Sequence, residues 1–306
     1  MTTILFVKTS SLGDVVHNCP AVTDAARALP GAAIDWMVEE PFAGIAAMHR
    51  AVRRVIPVAL RRWRGTPWRP EVRAEVAAWR RLLRTERYDA VVDTQSLVKS
   101  AFLAWFATGA HHGMDRASAR EWLAPLFYDV RHAVPRALHA VERNRQLAGK
   151  ALEFSPAGSI DYGLHVPRAE KSGYIVLLTM TSRDDKLWPE ERWIALAREL
   201  GRPAMLPWGS ETERMRALRI AEPSGGTVLP KRLGLEELAR LLAAAHAVVG
   251  LDTGLTHFAA ALGVPTIGIY CGSDPALTGL YGAPRARNAG ALGRAPAVDE
   301  VLKLIQ

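Results

Sequence analysis

A chain of 306 residues, 49% apolar and 23% charged, is long enough for two α/β domains that each bury a core, which excludes a disordered or low-complexity protein. Two cysteines, Cys19 and Cys271, exclude a disulfide framework and read as core residues; the four apolar residues before Lys8 are too few for a signal-peptide core, and no run reaches membrane-spanning length. The net charge of +8 is local, because residues 50–87 hold twelve arginines against Glu71, Glu75 and Glu86.

Ile4 to Val7 is short, apolar and partly β-branched, which predicts a buried strand; Val15, Val16, Cys19, Val22 and Ala26 then recur at helical spacing. Asp14 stands where that strand turns into the helix, at the sheet edge where open parallel sheets bind ligands. Ser11 and Asp14 are also preferred helix-capping types, and on this stretch alone capping is the favoured reading.

Residues 33–40, 53–60 and 88–95 read as further strands, with helices near 43–50, 71–86 and 97–108, a doubly wound pattern. The stretch "LRRWRGTPWRP", residues 60–70, has a glycine, two prolines and four arginines without an acid, and predicts a mobile basic loop. Over 73–87 the arginines are expected to pair with Glu71, Glu75 and Glu86 at helical spacing. With Trp63, Trp68 and Trp79 interleaved, the whole block suits an anionic partner: nucleic acid, a membrane surface, or a phosphorylated or carboxylated substrate.

Residues 155–173 are rich in Gly, Pro and Ser and read as the passage between domains, with the boundary at 160/161. A second alternation follows, with strands at 174–180, 203–208, 226–230, 247–251 and 264–271. The expected architecture is two parallel-sheet domains facing each other across a cleft.

Three stretches of the second half suit a nucleotide. "VVGLDTGLTHFAAALG", residues 248–263, is a strand, then Asp252, Thr253 and Gly254, then a helix whose free N–H groups and dipole favour phosphate, or else simply a well-capped turn. "TMTSRDDKLWPEERW", residues 179–193, offers Thr181, Ser182 and a free Lys186, with Pro189 at the first helical position. In "LPWGSETERM", Glu213 could hold a ribose hydroxyl, but Ser210 and Glu213 stand at capping-box spacing.

"VKTSSLGDVVHNCPAVTDA", "ALRRWRG", "DTQSLVKSA", "HGMDRASARE", "HAVERNR", "TSRDDKLWPEERW", "LPWG" and "LDTGLTH", in this order and spacing, give the chain a resemblance to the lipopolysaccharide heptosyltransferases of type I, in glycosyltransferase family 9. It covers nearly the whole chain. The resemblance implies an α/β GT-B fold with an N-terminal acceptor-binding and a C-terminal donor-binding domain. It implies inverting transfer of L-glycero-D-manno-heptose from ADP-heptose to the inner Kdo of Kdo-lipid A, without cofactor or metal. It further implies a cytoplasmic, monomeric enzyme peripheral on the inner membrane, with no nucleic-acid partner.

By the same resemblance, Asp14 is the general base. Thr181, Ser182, Lys186, Glu213, Asp252, Thr253, Gly254, Leu255 and His257 fall in donor-binding segments. Ser10, Gly13, Arg61, Arg62, Arg64, Gln95, Lys99 and Arg120 fall in the part that meets acid sugars and phosphates. The family usually has a histidine where this chain has Thr179, and "PKRLGLEEL" carries one extra residue.

The residues fit such chemistry independently. Displacing a nucleotide from a sugar carbon needs a base for the attacking hydroxyl and compensation for charge on the leaving diphosphate. No G-x-G-x-x-G follows the first strand, which disfavours a nicotinamide dehydrogenase. A type II heptosyltransferase or a nucleotide-sugar epimerase would share the donor half. A basic nucleic-acid binder would account for the arginines but leave Asp14 and Lys186 without a role.

Overall fold

The computed structural model describes residues 1–167, 170 and 172–305; Arg168, Ala169 and Lys171 of the expected inter-domain passage lie outside the described residues. Two compact units divide the chain, Met1–Leu164 and His165–Gln306.

The first unit carries strands β1 Thr3–Val7, β2 Ala33–Glu39, β3 Val52–Val58, β4 Arg87–Asp93, β5 Thr108–Met114 and β6 Val130–His132, paired in the order β3-β2-β1-β4-β5-β6. The second carries β7 Ile175–Leu178, β8 Ala204–Leu206, β9 Thr227–Val228, β10 Ala247–Leu251, β11 Thr266–Tyr270 and β12 Ala286–Gly290, in the order β12-β11-β10-β7-β8-β9. All pairings between these strands are parallel. Counted from its own first strand, the second sheet repeats the order of the first, which is that of dinucleotide-binding sheets. Central strands such as β1, β2, β7 and β10 are buried along nearly their whole length, which is why they read as unbroken apolar runs.

That order fixes where ligands can bind. Strand order reverses between β1 and β4 in one sheet and between β7 and β10 in the other. At each reversal the connecting helices leave toward opposite faces, and a crevice opens at the carboxyl ends of the two strands.

Strands β5, β6 and β12 have no counterpart in the sequence expectation. β5, "TGAHHGM", lacks an apolar run; it is defined by its ladder to β4 and by Tyr128, whose ring would lie 2.1 Å from a Cβ placed on Gly113. The helix expected over 97–108 stops at Ala104, because Thr108 already joins the sheet.

The basic block also departs from expectation. Residues 60–70 are no mobile loop: Leu60–Gly65 is a short helix with Trp63 buried, and a second helix, Pro70–Arg84, starts on the last proline. Trp63 and Trp79 pack together in the core at 5.6 Å, while Trp68 is exposed. The acids pair across elements rather than along the helix: Arg62 bridges Glu40 at 3.2 Å and Glu75 at 2.6 Å, and Glu86 takes Arg53 at 2.9 Å. Arg53 and Arg54 both reach the fully buried carboxylate of Asp35. Three of the twelve arginines are therefore spent on holding β2, β3 and the neighbouring helices together, two of them on Asp35, since a buried carboxylate needs such partners.

Cys19 is buried and Cys271 is half-buried against the second core; both are free thiols. Among the described residues no helix is long and apolar enough to cross a membrane.

Candidate active site

In the first unit, the segments leaving β1 and β4 are tied by one side chain. Gln95 Oε1 accepts from the N–H groups of Thr9 (2.8 Å) and Ser10 (3.1 Å), and its Nε2 donates to the Ser10 carbonyl. Beneath it, Asp93 accepts from Tyr128 Oη (2.7 Å), Ser100 Oγ (2.8 Å) and Gln95 N (2.9 Å); burial pushes its pKa up in spite of these bonds. Lys99 Nζ donates to Ser10 Oγ at 2.8 Å. Ser10, Gln95 and Lys99 are thus brought together.

Asp14 follows Gly13 as the third residue of the helix Leu12–Ala28, whose N-cap is Ser11. Its Oδ2 accepts from Ser11 N (3.0 Å) and Ser11 Oγ (3.3 Å), and its Oδ1 accepts from Arg120 Nη1 (3.2 Å). The capping reading holds, yet the same carboxylate is engaged by a cation from elsewhere and keeps 25% of its side-chain surface exposed. Burial pushes the Asp14 pKa up, but Lys8, Arg120 and the Ser11 N–H outweigh it and hold the group below its ordinary value. At neutral pH the site carries a carboxylate.

Lys8 is the residue that reading by motif passed over. It is buried, donates to the Thr94 carbonyl (2.8 Å) and Asn144 Oδ1 (3.2 Å), and burial pulls its pKa down to about 8 although Asp14 opposes this. A lysine directly after a fully buried strand was the available signal. The "HAVERNR" stretch supports it: Asn144 also donates to the His17 carbonyl, and Arg145 pairs with Asp24 at 2.6 Å with both groups buried.

Glu39, at the end of β2, was likewise not singled out. Burial pushes its pKa up, while Arg61 and Lys99 pull it down, so both cations act on one carboxylate. Arg62 instead turns to Glu40 and Glu75, and among the described residues no hydrogen bond or ion pair joins Arg64 to Asp14.

In the second unit, the half-site gathers around Asp252, just past β10 and 9% exposed. Its Oδ2 accepts from Lys186 Nζ (2.6 Å) and Ser273 Oγ (2.6 Å), its Oδ1 lies 3.2 Å from His257 Nε2, and its carbonyl accepts from Thr181 Oγ1 (3.0 Å). Burial pushes the Asp252 pKa up, but the bonds from His257, Lys186 and Ser273 hold it well below the carboxylate range. Lys186, in the turn Asp184–Lys186, is therefore not free as expected; it is ion-paired. Ser273, from the loop after β11, was missed because "CGSDP" reads only as a turn.

Thr253 is the N-cap of the helix Gly254–Ala261, which contains Leu255 and His257, and its side chain makes no capping bond. Ser182 is exposed beside Thr181. Glu213 is in a capping arrangement: its N–H donates to Ser210 Oγ at 3.3 Å and its Oε2 accepts from Gly209 N at 2.6 Å. Pro189 is the N-cap of Glu190–Glu199 rather than its first residue, and Glu190 pairs with Arg216 and Arg219. Among the described residues no group of three or more His, Cys, Asp or Glu side chains could hold a metal ion.

Two Rossmann-like units, each with polar groups converging where its strand order reverses, give the chain the GT-B architecture. The chain belongs to glycosyltransferase family 9, the heptosyltransferases, whose family model matches residues 76–303. Lipopolysaccharide heptosyltransferase 1 of Salmonella typhimurium is 48% identical over 289 residues, with 91% of each chain covered. The protein of the same name from Pseudomonas aeruginosa is 46% identical over 288 residues, covering 91% of this chain and 81% of its own. The solved structure of E. coli heptosyltransferase WaaC with ADP is 44% identical, covers 99% of both chains and superposes with a TM-score of 0.91. E. coli ADP-heptose lps heptosyltransferase II, at 22% identity and a TM-score of 0.77, shares the fold.

Proposed function

We propose that the chain transfers L-glycero-D-manno-heptose from ADP-heptose to the inner Kdo of Kdo-lipid A, building the inner core of lipopolysaccharide. The observation that carries this reading is Asp14: an ionised carboxylate at the β1 switch point, engaged by Arg120 and by the N–H and hydroxyl of Ser11, with the charge of Lys8 acting on it. A related E. coli enzyme, 44% identical, is solved with ADP-2-deoxy-2-fluoro heptose, which supports the choice of donor.

In this reading Asp14 takes the proton of the acceptor hydroxyl as its oxygen attacks the anomeric carbon. The bond from that carbon to the diphosphate oxygen breaks, and ADP leaves. One displacement inverts the configuration. A carboxylate with a lowered pKa is a weak base at rest, but the hydroxyl becomes strongly acidic only as it bonds to carbon, so a late transfer suits it. Charge growing on the diphosphate is met by Lys186, which Asp252 positions, and by the N-terminus of the helix Gly254–Ala261. These take the part a metal ion would otherwise play, and turnover is expected to be the same with and without excess chelator.

Thr181, Ser182, Glu213, Thr253, Leu255 and His257 complete the donor side; Gly13, Arg61, Arg62, Arg64 and Gln95 complete the acceptor side. The cationic character of the acceptor side fits an acid sugar carried on a phosphorylated lipid. The enzyme then works as a monomer at the cytoplasmic face of the inner membrane. Incubation with ADP-heptose and Kdo-lipid A, read by mass, should add one heptose to the lipid. No gain in mass would sink the assignment.

A further inference from the structure

The helix Leu60–Gly65 has two sides with different chemistry. Arg61, Arg62 and Arg64 are exposed, while Leu60 and Trp63 line an apolar groove of about 600 Å³ shared with the helix Pro70–Arg84 and with Phe102 and Phe106. Arg64, Arg73 and Arg80 also line this groove, the last with its guanidinium 4.3 Å from the centre of the Phe106 ring. Trp79, on the groove wall, is 6% exposed, yet its indole N–H meets no acceptor among the described residues. Phe102 is 45% exposed and is also a wall of a second hollow, about 320 Å³, lined with Trp105, Leu126 and Phe127.

An apolar trough edged by cations matches an anionic amphiphile with an acyl chain. A second copy of the chain fits poorly, because a two-fold contact over this face would set arginine rim against arginine rim. We infer that the groove between the helices Leu60–Gly65 and Pro70–Arg84 holds an acyl chain of the lipid acceptor while the arginines of the first helix hold its anionic head. This rests on the acceptor proposed above and adds a tail subsite to it. The second hollow beyond Phe102 gives room for another chain.

The test compares two acceptors at one detergent concentration: Kdo-lipid A with its acyl chains, and the same phosphorylated saccharide with all chains removed. Ala77→Trp fills the groove and Phe102→Ser makes its wall polar; melting temperature and sedimentation are recorded for both. KM for the acylated acceptor should rise at least tenfold in each variant, with kcat and donor KM held and the deacylated acceptor used as by the parent. Equal effects on both acceptors, no effect on either, or a change in oligomeric state would overturn the subsite. Should Ala77→Trp fail to fold, Phe102→Ser at an exposed position decides alone. A parent that transfers heptose to neither acceptor would sink the proposed function itself, and the subsite with it.

Discussion

Arg120 Nη1 stands 3.2 Å from Asp14 Oδ1, and the other oxygen of Asp14 is held by the N–H and hydroxyl of Ser11. One carboxylate thus closes the first turn of a helix and faces a cation from a distant segment. Capping and catalysis are compatible in this geometry, so they must be separated by their consequences.

Asp14→Asn separates them. Asn keeps an oxygen for the Ser11 N–H, and even full loss of a capping interaction costs only ~1 kcal/mol. Loss of a general base costs about 10² to 10⁴ in rate. The expected result is a collapse of kcat with unchanged melting temperature and donor affinity. A variant that turns over like the parent would leave Asp14 as a cap only.

Arg120→Ala removes one of the charges that hold the Asp14 pKa down. Asp14 then protonates at higher pH, so the acidic limb of kcat/KM should move upward in pH, and Arg120→Lys should move it less. An acidic limb that stays in place would disconnect Arg120 from the titration of the base.

Lys8 gives an alkaline signature. Its folded pKa, about 8, lies below the ordinary 10.5, so the unfolded chain binds more protons between those values and stability rises with pH there. Relative to Lys8→Met, the parent should gain stability from pH 8 to 10.5 in urea unfolding. A difference that is flat or falls with pH would mean that Lys8 is not desolvated in the folded protein.

For Asp252 stability also rises with pH, but in the acidic range. Its folded pKa is depressed, so it contributes stability above its unfolded value, lost as pH falls below that value toward the folded one. Lys186→Ala removes one charged hydrogen bond, about 1.5–3 kcal/mol at neutral pH, and raises the Asp252 pKa. The loss should shrink as pH falls to about 3, and donor KM should rise at neutral pH. A pH-independent loss would show that Lys186 does not act through Asp252.

Arg61→Ala with Arg64→Ala should raise acceptor KM and leave donor KM unchanged, with an effect that fades as salt rises, because exposed charges are screened. Arg62→Ala should also lower the melting temperature slightly, since Arg62 already bridges Glu40 and Glu75. A salt-independent change in KM would point to altered packing of the helix Leu60–Gly65.

The sequence by itself determined the alternation of strand and helix and the two places where a strand runs into polar residues and a helix. Those are local properties: periodicity 2 or 3.6, β-branching, and a small polar stretch at the junction. That is why Asp14, Thr181 and Asp252 could be named before any coordinates, whereas Gln95 was named only through the family resemblance. Which groups meet was decided only by the tertiary structure. Lys186 and Asp252 are 66 positions apart, Lys8 and Asn144 are 136 apart, and Arg120 reaches Asp14 over 106. The arginines of 50–87 read as a basic loop and a helix face whose acids pair at helical spacing, yet Arg53, Arg54 and Arg62 are bound to acids on other elements. Strand β5 shows no apolar pattern because it is held in the sheet by its ladders to β4 and β6, by the Tyr128 ring over Gly113 and by polar contacts of His111 and His112. A buried charge finds its partner through the crossover topology, and pairing across a hundred residues leaves no period along the chain for a reader to find.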